Sequence, residues 1–190
     1  MVETHPWLPF LPKNATLLLL GSFPPPEKRW SMPFFYPNLQ NDFWRIVGWI
    51  YFREKRWFLM PDARGFDQAK IETFLREEGI ALYDVGRRVE RLAGNAADNR
   101  LKIVEPVDLS ELLKEIPSCH TVGATGQKAL EEILRQTDSP VPSPALGTFS
   151  DAAIAGHSVR IFRLPSTSRA YPRPLEEKAE LYRKVLGSEK

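Results

Sequence analysis

The sequence contains one cysteine, few histidines and none of the common cofactor-binding motifs. Cys119 is the only cysteine among 190 residues, so no internal disulfide and no cysteine-based zinc or iron–sulfur site can form. The histidines, His5, His120 and His157, lack the spacing of a metal site. The phosphate loop G-x-x-x-x-G-K-[ST], the dinucleotide-binding G-x-G-x-x-G and the nucleophile elbow G-x-S-x-G are also absent. The sequence therefore predicts neither a metal nor a cofactor.

Long hydrophobic runs and strong net charge are missing as well. No signal peptide and no run of about 18 apolar residues is present. A net charge of +2 permits a local basic surface for an anionic partner without requiring one. Apolar residues make up 43% and charged residues 26%, which is ordinary for a soluble globular protein. We expect a cytoplasmic monomer without membrane contact, built as a single domain that spans residues 1–190.

Short apolar segments alternate along the chain with segments of helical periodicity. The first, Leu17 to Leu20 followed by Gly21, is typical of a buried central strand. The alternation favours an α/β fold, a three-layer α/β/α sandwich with a central, mostly parallel four-stranded sheet. The predicted strands are 14–21, 80–85, 119–124 and 159–164, the predicted helices are 41–52, 68–78, 109–116, 126–135 and 174–186, and residues 87–100 are predicted to form a long polar loop.

Ligands of open parallel sheets bind beyond the carboxyl ends of the strands. The segments at these ends are residues 21–44, the Asp84 loop, the 123–126 turn and residues 165–170. Their polar groups are mostly neutral and lie among aromatic residues, which suits a flat, hydrogen-bonding ligand held by stacking, such as a nucleobase. The alternative is that the aromatic residues only fill the core of a proline-rich loop. The polar residues are Ser22, Asn38, Asn41, Asp84, Ser166 and Ser168, and the aromatic residues are Phe23, Trp30, Phe34, Phe35, Tyr36 and Phe43.

Three sequence blocks follow one another along the chain: Gly21-Ser22-Phe23-Pro24, then Phe35-Tyr36-Pro37-Asn38-Leu39-Gln40-Asn41-Asp42-Phe43-Trp44, then Leu164-Pro-Ser-Thr-Ser-Arg-Ala170. In this order they resemble the uracil-DNA glycosylase superfamily, and most closely its hypoxanthine-DNA glycosylase-like branch. The N-D-F-W element of the second block is also similar to the mismatch-specific uracil/thymine glycosylases. The resemblance spans residues 15–186 and implies a monofunctional DNA glycosylase of base-excision repair. Such an enzyme flips a deaminated base, uracil or hypoxanthine, out of DNA and hydrolyses its N-glycosidic bond.

The resemblance implies a catalytic role for an asparagine of the second block. We assign this role to Asn41, with Asn38 as the close competitor. Ser22 stands where many superfamily members carry Asp or Asn. An asparagine amide can fix a water or stabilise charge on a leaving base. The alternative for Asn41 is a helix N-cap before Phe43.

The resemblance also implies which residues bind the base. Tyr36 falls where the superfamily places the aromatic residue that stacks on the flipped base, and Phe23 lies nearby in the first block. Asp84 is expected to read the edge of the base. The alternatives for Asp84 are that it caps the arginine-rich loop or that it forms an ion pair with Arg87 or Arg88.

The third block is expected to bind DNA phosphates. Ser166, Thr167 and Ser168 would donate hydrogen bonds, and Arg169 would add charge or enter the duplex. The alternative is a capped turn that leads into the last helix.

The expected partner is DNA, as a deaminated or mismatched duplex or as a single strand, and the protein would associate with the nucleoid when acting. A wider phosphate footprint would involve Lys28, Arg29, Arg87, Arg88 and Arg100.

Three consecutive prolines favour a second interpretation. Pro24, Pro25 and Pro26 supply no backbone N–H where such enzymes approach the sugar or the water. A catalytically silent, nucleic-acid-binding homologue of the same fold is therefore the main alternative. An enzyme that acts on free nucleosides or nucleotides is a third interpretation.

Overall fold

The computed structural model describes residues 1–92 and 101–187. Within these ranges the strands form two sheets, a central sheet of five strands and a smaller antiparallel sheet of three. The central sheet consists of β2, β3, β6, β7 and β8, and the smaller sheet consists of β1, β4 and β5. The strands are β1 (Val2–Thr4), β2 (Leu17–Gly21), β3 (Ile80–Asp84), β4 (Gly86–Arg91), β5 (Leu101–Pro106), β6 (Thr121–Thr125), β7 (Phe149–Ile154) and β8 (His157–Leu164).

The central sheet has the strand order β3-β2-β6-β8-β7. Its first four strands are parallel, and β2 is buried along its whole length because it is paired on both sides. The predicted three-layer fold class is therefore confirmed. The sheet has one more strand than predicted, because β7 pairs antiparallel with β8. Ala155 and Gly156 join these two strands with φ angles of 48° and 77°, the left-handed pair that a tight two-residue hairpin turn requires.

The smaller sheet corrects the prediction of a long polar loop over residues 87–100. Residues 87–91 of the predicted loop belong to β4, which pairs with both β1 and β5. Val89 is buried while Arg87 and Arg88 are exposed, so the segment covers the core with few apolar residues. The rest of the predicted loop, residues 93–100, lies outside the described residues.

The helices flank the central sheet, and their ends follow local capping rules. α2 has the predicted bounds; the Asp67 side chain accepts a hydrogen bond from the Lys70 N–H at its start, and Gly79, with φ 65°, ends it. The other helices are shorter than predicted, and α1 begins at Phe43 rather than Asn41. None of the helices in residues 1–92 and 101–187 is long and apolar enough to cross a membrane. The helices are α1 (Phe43–Phe52), α2 (Gln68–Glu78), α3 (Leu109–Glu115), α4 (Gln127–Leu134) and α5 (Leu175–Tyr182), with a 3-10 turn over Glu27–Arg29.

Candidate functional site

A crevice of about 790 Å³ opens at the carboxyl edge of the central sheet. The last residue of each parallel strand lines it: Gly21 of β2, Asp84 of β3, Thr125 of β6 and Leu164 of β8. The segments that follow β2 and β8 supply most of the remaining wall. The crevice therefore lies where ligands of open parallel sheets bind.

The structure brings all but one of the predicted site residues to this crevice. The exception is Arg169, whose Nε donates a hydrogen bond to Asp42 Oδ1 at 2.9 Å. Thr167 is only 2% exposed, so its side chain has little surface for a phosphate contact. Their roles stay predictions. The residues that line the crevice as predicted are Ser22, Phe23, Tyr36, Asn38, Asn41, Asp84, Ser166, Thr167 and Ser168.

Tyr36 is fixed at the crevice in an unusual backbone conformation. Its φ of 53° lies in the left-handed region, which bulky residues rarely adopt. The ring stacks on Phe43 with centroids 3.8 Å apart and planes 12° apart. The Thr125 hydroxyl donates to the Leu20 carbonyl at 3.2 Å, which leaves it to accept from the Tyr36 hydroxyl at 2.7 Å. Phe43 therefore covers one face of the Tyr36 ring, and Tyr36 is among the residues that line the crevice.

Asn41 and Asn38 both direct their side-chain oxygens into local turns. Asn41 Oδ1 accepts a hydrogen bond from the Phe43 N–H at 2.9 Å, at the first residue of α1. The alternative interpretation of Asn41 as a residue that caps this helix therefore has support, although Asp42 occupies the N-cap position itself. Asn38 Oδ1 accepts from the Gln40 N–H at 3.0 Å. The amide nitrogen of Asn41, with two N–H donors, has no hydrogen-bond partner among the described residues.

Backbone contacts join the start of α1 to the loop after β8. Asn41 and Ser168 form an isolated β-bridge. The Asp42 N–H donates to the Thr167 carbonyl at 3.0 Å. Within the loop, Ser166 Oγ accepts from the Ser168 N–H at 3.2 Å. The predicted catalytic and phosphate-binding segments are thus held as one unit.

A buried lysine supports this unit from below. Lys178 is fully buried, and its Nζ donates to the Ser168 carbonyl at 2.8 Å and lies 4.0 Å from Asp42 Oδ2. Burial lowers the pKa of Lys178, while Asp42 acts to raise it and Arg169 to lower it. No sequence pattern indicated this contact, because Lys178 lies in a helix rich in exposed charged residues.

Asp84 pairs with a histidine and not with the arginines that were considered. Asp84 Oδ2 lies 2.9 Å from His5 Nε2, and both side chains are buried. Arg87 and Arg88 instead lie 3.5 Å from the two carboxylate oxygens of Glu105, so the alternative of an ion pair between Asp84 and Arg87 or Arg88 is wrong. His5 gave no signal in the sequence, since 79 residues separate it from Asp84.

Two of the three prolines accept hydrogen bonds from side chains elsewhere in the chain. Arg91 Nη2 donates to the Pro24 carbonyl at 2.6 Å, and Trp30 Nε1 donates to the Pro25 carbonyl at 2.7 Å. Pro24 and Pro25 line the crevice and contribute no N–H to it. This wall is therefore rigid and poor in hydrogen-bond donors.

Cationic groups predominate over anionic groups in the crevice lining. Arg29, Lys128 and Arg163 line it, and Asp84 is the one acidic residue among the described residues that do so. Because three cationic side chains face one carboxylate, the wall favours an anionic ligand such as a nucleic-acid backbone. Of the wider phosphate footprint predicted from sequence, Arg29 is at the crevice; Lys28, Arg87 and Arg88 are not, and Arg100 lies outside the described residues.

The site contains no candidate metal centre. In the part of the chain that the structure describes, no three His, Cys, Asp or Glu side chains are grouped to hold a metal ion.

Comparison with solved structures identifies the fold. A solution NMR structure from Methanosarcina acetivorans, of a protein named as a candidate uracil DNA glycosylase, matches 99% of this chain and 100% of its own. The TM-score is 0.66 at 24% sequence identity. The chain has a uracil-DNA glycosylase-like fold. No protein-family model and no curated protein matches the sequence.

Proposed function

We propose that the protein is a monofunctional DNA glycosylase that removes a deaminated base, uracil or hypoxanthine, in base-excision repair. The substrate would be deaminated or mismatched duplex DNA or a single strand. The observation that supports this proposal is that one crevice combines an aromatic ring, an amide with two N–H donors and a carboxylate within a cationic wall. Tyr36, Asn41 and Asp84 supply the first three.

Each group matches one requirement of base excision. A flipped base needs a flat surface in place of its stacked neighbours, and the Tyr36 ring at the crevice would supply it. The base edge needs a hydrogen-bond partner, which Asp84 offers. DNA backbone needs positive charge and hydroxyl donors, and Arg29, Lys128 and Ser166 lie at the same opening.

In the proposed reaction the bond between C1′ and the base nitrogen breaks, and its electron pair leaves with the base. Water then bonds to C1′ and gives up a proton, and the base takes up a proton. The products are the free base and an abasic sugar. The Asn41 amide N–H groups would stabilise the negative charge on the departing base, and the second lone pair of Oδ1 would position the water.

A catalytically silent nucleic-acid-binding homologue is the second candidate. It is favoured by Pro24 and Pro25, which leave part of the crevice wall without N–H donors. It is also favoured by the engagement of Asn41 Oδ1 with the Phe43 N–H. This candidate predicts DNA binding that weakens with salt, without base release.

The two candidates are separated by incubating the purified protein with oligonucleotides that carry one uracil, hypoxanthine or xanthine, and then treating them with alkali. A glycosylase leaves abasic sites, which alkali converts into strand breaks. Breaks at the modified position are expected for at least one base. Binding without breaks on all three would favour the silent homologue, and cleavage of free nucleosides without DNA would favour an enzyme of nucleosides.

A further inference from the structure

The His5–Asp84 pair adjoins the crevice, and the two carboxylate oxygens of Asp84 have different surroundings. The His5 side chain is 1% exposed and that of Asp84 is 9% exposed. The rings of Trp7, Phe23 and Tyr83 lie around the imidazole, with centroids 5.8, 5.4 and 4.6 Å away. Asp84 lines the crevice and His5 does not. Aromatic rings therefore shield His5 from the crevice, whereas Asp84 is accessible from it.

We propose that His5 is a positioning residue that presents Asp84 Oδ1 to the crevice as an obligate hydrogen-bond acceptor. Through this oxygen, the pocket selects bases whose ring nitrogen carries a proton and rejects those whose ring nitrogen is bare. This inference rests on the proposed function and defines the chemical feature by which its substrates would be chosen.

The contacts of His5 keep Asp84 an acceptor in either protonation state of the imidazole. His5 Nδ1 lies 3.2 Å from the Trp7 N–H nitrogen and 2.9 Å from the Trp7 carbonyl oxygen. A neutral ring accepts at Nδ1 from the N–H, and a protonated ring donates from Nδ1 to the carbonyl. In both cases Nε2 carries a proton and donates it to Asp84 Oδ2 at 2.9 Å. The hydrogen bond from His5 therefore holds the carboxylate in one orientation, with Oδ2 turned to His5.

Gly21 leaves room for the other carboxylate oxygen at the crevice. A Cβ atom at Gly21 would lie 2.4 Å from Asp84 Oδ1 and 3.3 Å from the Tyr36 hydroxyl oxygen. Asp84 Oδ1 and the Tyr36 hydroxyl therefore both lie close to the position that a side chain at Gly21 would occupy. The glycine keeps the space around the proposed acceptor free of a side chain.

The hydrogen-bonding change caused by deamination matches this acceptor. Adenine and cytosine present a bare ring nitrogen beside an amino group, whereas hypoxanthine and uracil present a ring N–H beside a carbonyl. An ionised carboxylate can accept from the N–H, but its lone pairs repel the lone pair of the bare nitrogen. The Asp84 carboxylate thus responds to the atom that all such deamination products share.

The test compares the binding of oligonucleotides that differ only in the target base. Each target carries a 2′-fluoro substituent that suppresses cleavage, so Kd is measured without turnover. The pairs are hypoxanthine against adenine and uracil against cytosine. The wild-type protein should bind at least one deaminated base at least about 10-fold more tightly than its parent base.

Three variants separate positioning from a merely structural role. Asp84→Asn should lower the preference at least about 10-fold, because His5 Nε2–H then holds the amide oxygen and the amide N–H faces the crevice. His5→Leu should also lower it, because an unpaired buried carboxylate takes up a proton and becomes a donor. His5→Gln should keep it within about 3-fold of wild type, because the glutamine Nε2 stands at the same number of bonds from the backbone as His5 Nε2.

An unchanged preference in Asp84→Asn, or an equal loss of affinity for both members of each pair in His5→Leu and Asp84→Asn, would overturn the inference. Base release by the wild-type protein is measured separately on oligonucleotides that lack the 2′-fluoro substituent. No release there would contradict the proposed function, whereas the Kd ratios would still decide the role of His5 and Asp84.

Discussion

Helix α1 carries a stacked pair of aromatic rings at each end, and only one pair belongs to the crevice. At its start Phe43 stacks on Tyr36, with centroids 3.8 Å apart and planes 12° apart. At its end Phe52 stacks on Trp57, at 4.2 Å and 13°. The two pairs have nearly the same geometry. Stacking geometry therefore does not distinguish a binding site from ordinary packing.

The surroundings of the two pairs differ. Tyr36 hydrogen-bonds Thr125 at the end of a central strand and shares the crevice with Asn41 and Asp84. Trp57 is 37% exposed and lies under the Lys70 ammonium group, 3.9 Å from the ring centroid, as many surface tryptophans do. The polar groups at the strand ends, rather than the aromatic rings, mark the candidate site.

The largest effect is expected when the Asn41 amide is removed from the crevice. We expect Asn41→Ala to slow base release about 100- to 1,000-fold, because its N–H groups would stabilise charge that develops only in the transition state. Single-turnover release and Kd on the same oligonucleotide check this, and Kd should change by less than about 3-fold. Asn38→Ala is the matched control, and a larger loss in that variant would transfer the catalytic role to Asn38.

The second prediction replaces one ring of each stacked pair. Tyr36→Leu should weaken the binding of DNA with a cleavage-resistant target base about 10- to 100-fold, because a base–aromatic stack contributes about 1–3 kcal/mol. Trp57→Leu should leave that Kd unchanged and lower only the free energy of unfolding. Fluorescence anisotropy measures both. Equal weakening by the two substitutions would show that the exposed pair also contacts DNA.

The third prediction concerns the buried support of the crevice. Lys178→Met should slow base release and lower the free energy of unfolding by about 1–2 kcal/mol, because the Ser168 carbonyl loses its donor. Lys184→Met is the matched control, since Lys184 Nζ also donates to a backbone carbonyl, that of Gly147, which is not part of the crevice lining. Unaltered release in Lys178→Met would show that the loop after β8 does not need this support.

The pH dependence of Lys178 has a definite sign. Because burial lowers its folded-state pKa below that of the unfolded chain, the unfolded state binds more protons between the two values. The unfolding free energy should therefore rise with pH across that alkaline interval by more in wild type than in Lys178→Met. Denaturant titrations at a series of pH values measure this difference, and identical slopes would contradict it.

The smallest effect is expected far from the crevice. Asp108 caps α3, and its hydrogen bond with Ser110 lowers the pKa of the Asp108 carboxyl. Asp108→Ala should lower the free energy of unfolding by about 1 kcal/mol and leave base release unchanged. The contribution should be present above the unfolded-state pKa and be lost as pH falls through the lower folded-state pKa. A change in base release would connect α3 to the crevice.

The central strands and their polar ends were predictable because local pattern determines them. Leu17 to Gly21 is apolar and ends in glycine, so both the strand and the place where the chain leaves the sheet follow from sequence. Asp84 follows a second apolar segment, and parallel pairing then brings Asp84 level with Gly21. These short-range signals were sufficient to predict the crevice edge.

Contacts between distant segments were not predictable in the same way. His5 reaches Asp84 because its N–H donates to the Arg87 carbonyl beside the β1–β4 pairing, a register that no local pattern specifies. β7 was missed because an edge strand is half exposed and has little apolar periodicity. Lys178 was missed because burial of a lysine depends on what covers it.

The central claim is tested most directly by identifying the released base. Wild-type protein and Asn41→Ala are incubated with DNA that contains one uracil, hypoxanthine or xanthine, and free base and abasic DNA are quantified in the same reaction. The account predicts equal amounts of free base and abasic DNA for wild type with at least one substrate, and release slowed at least about 100-fold in Asn41→Ala. No free base from any substrate with wild type would contradict it.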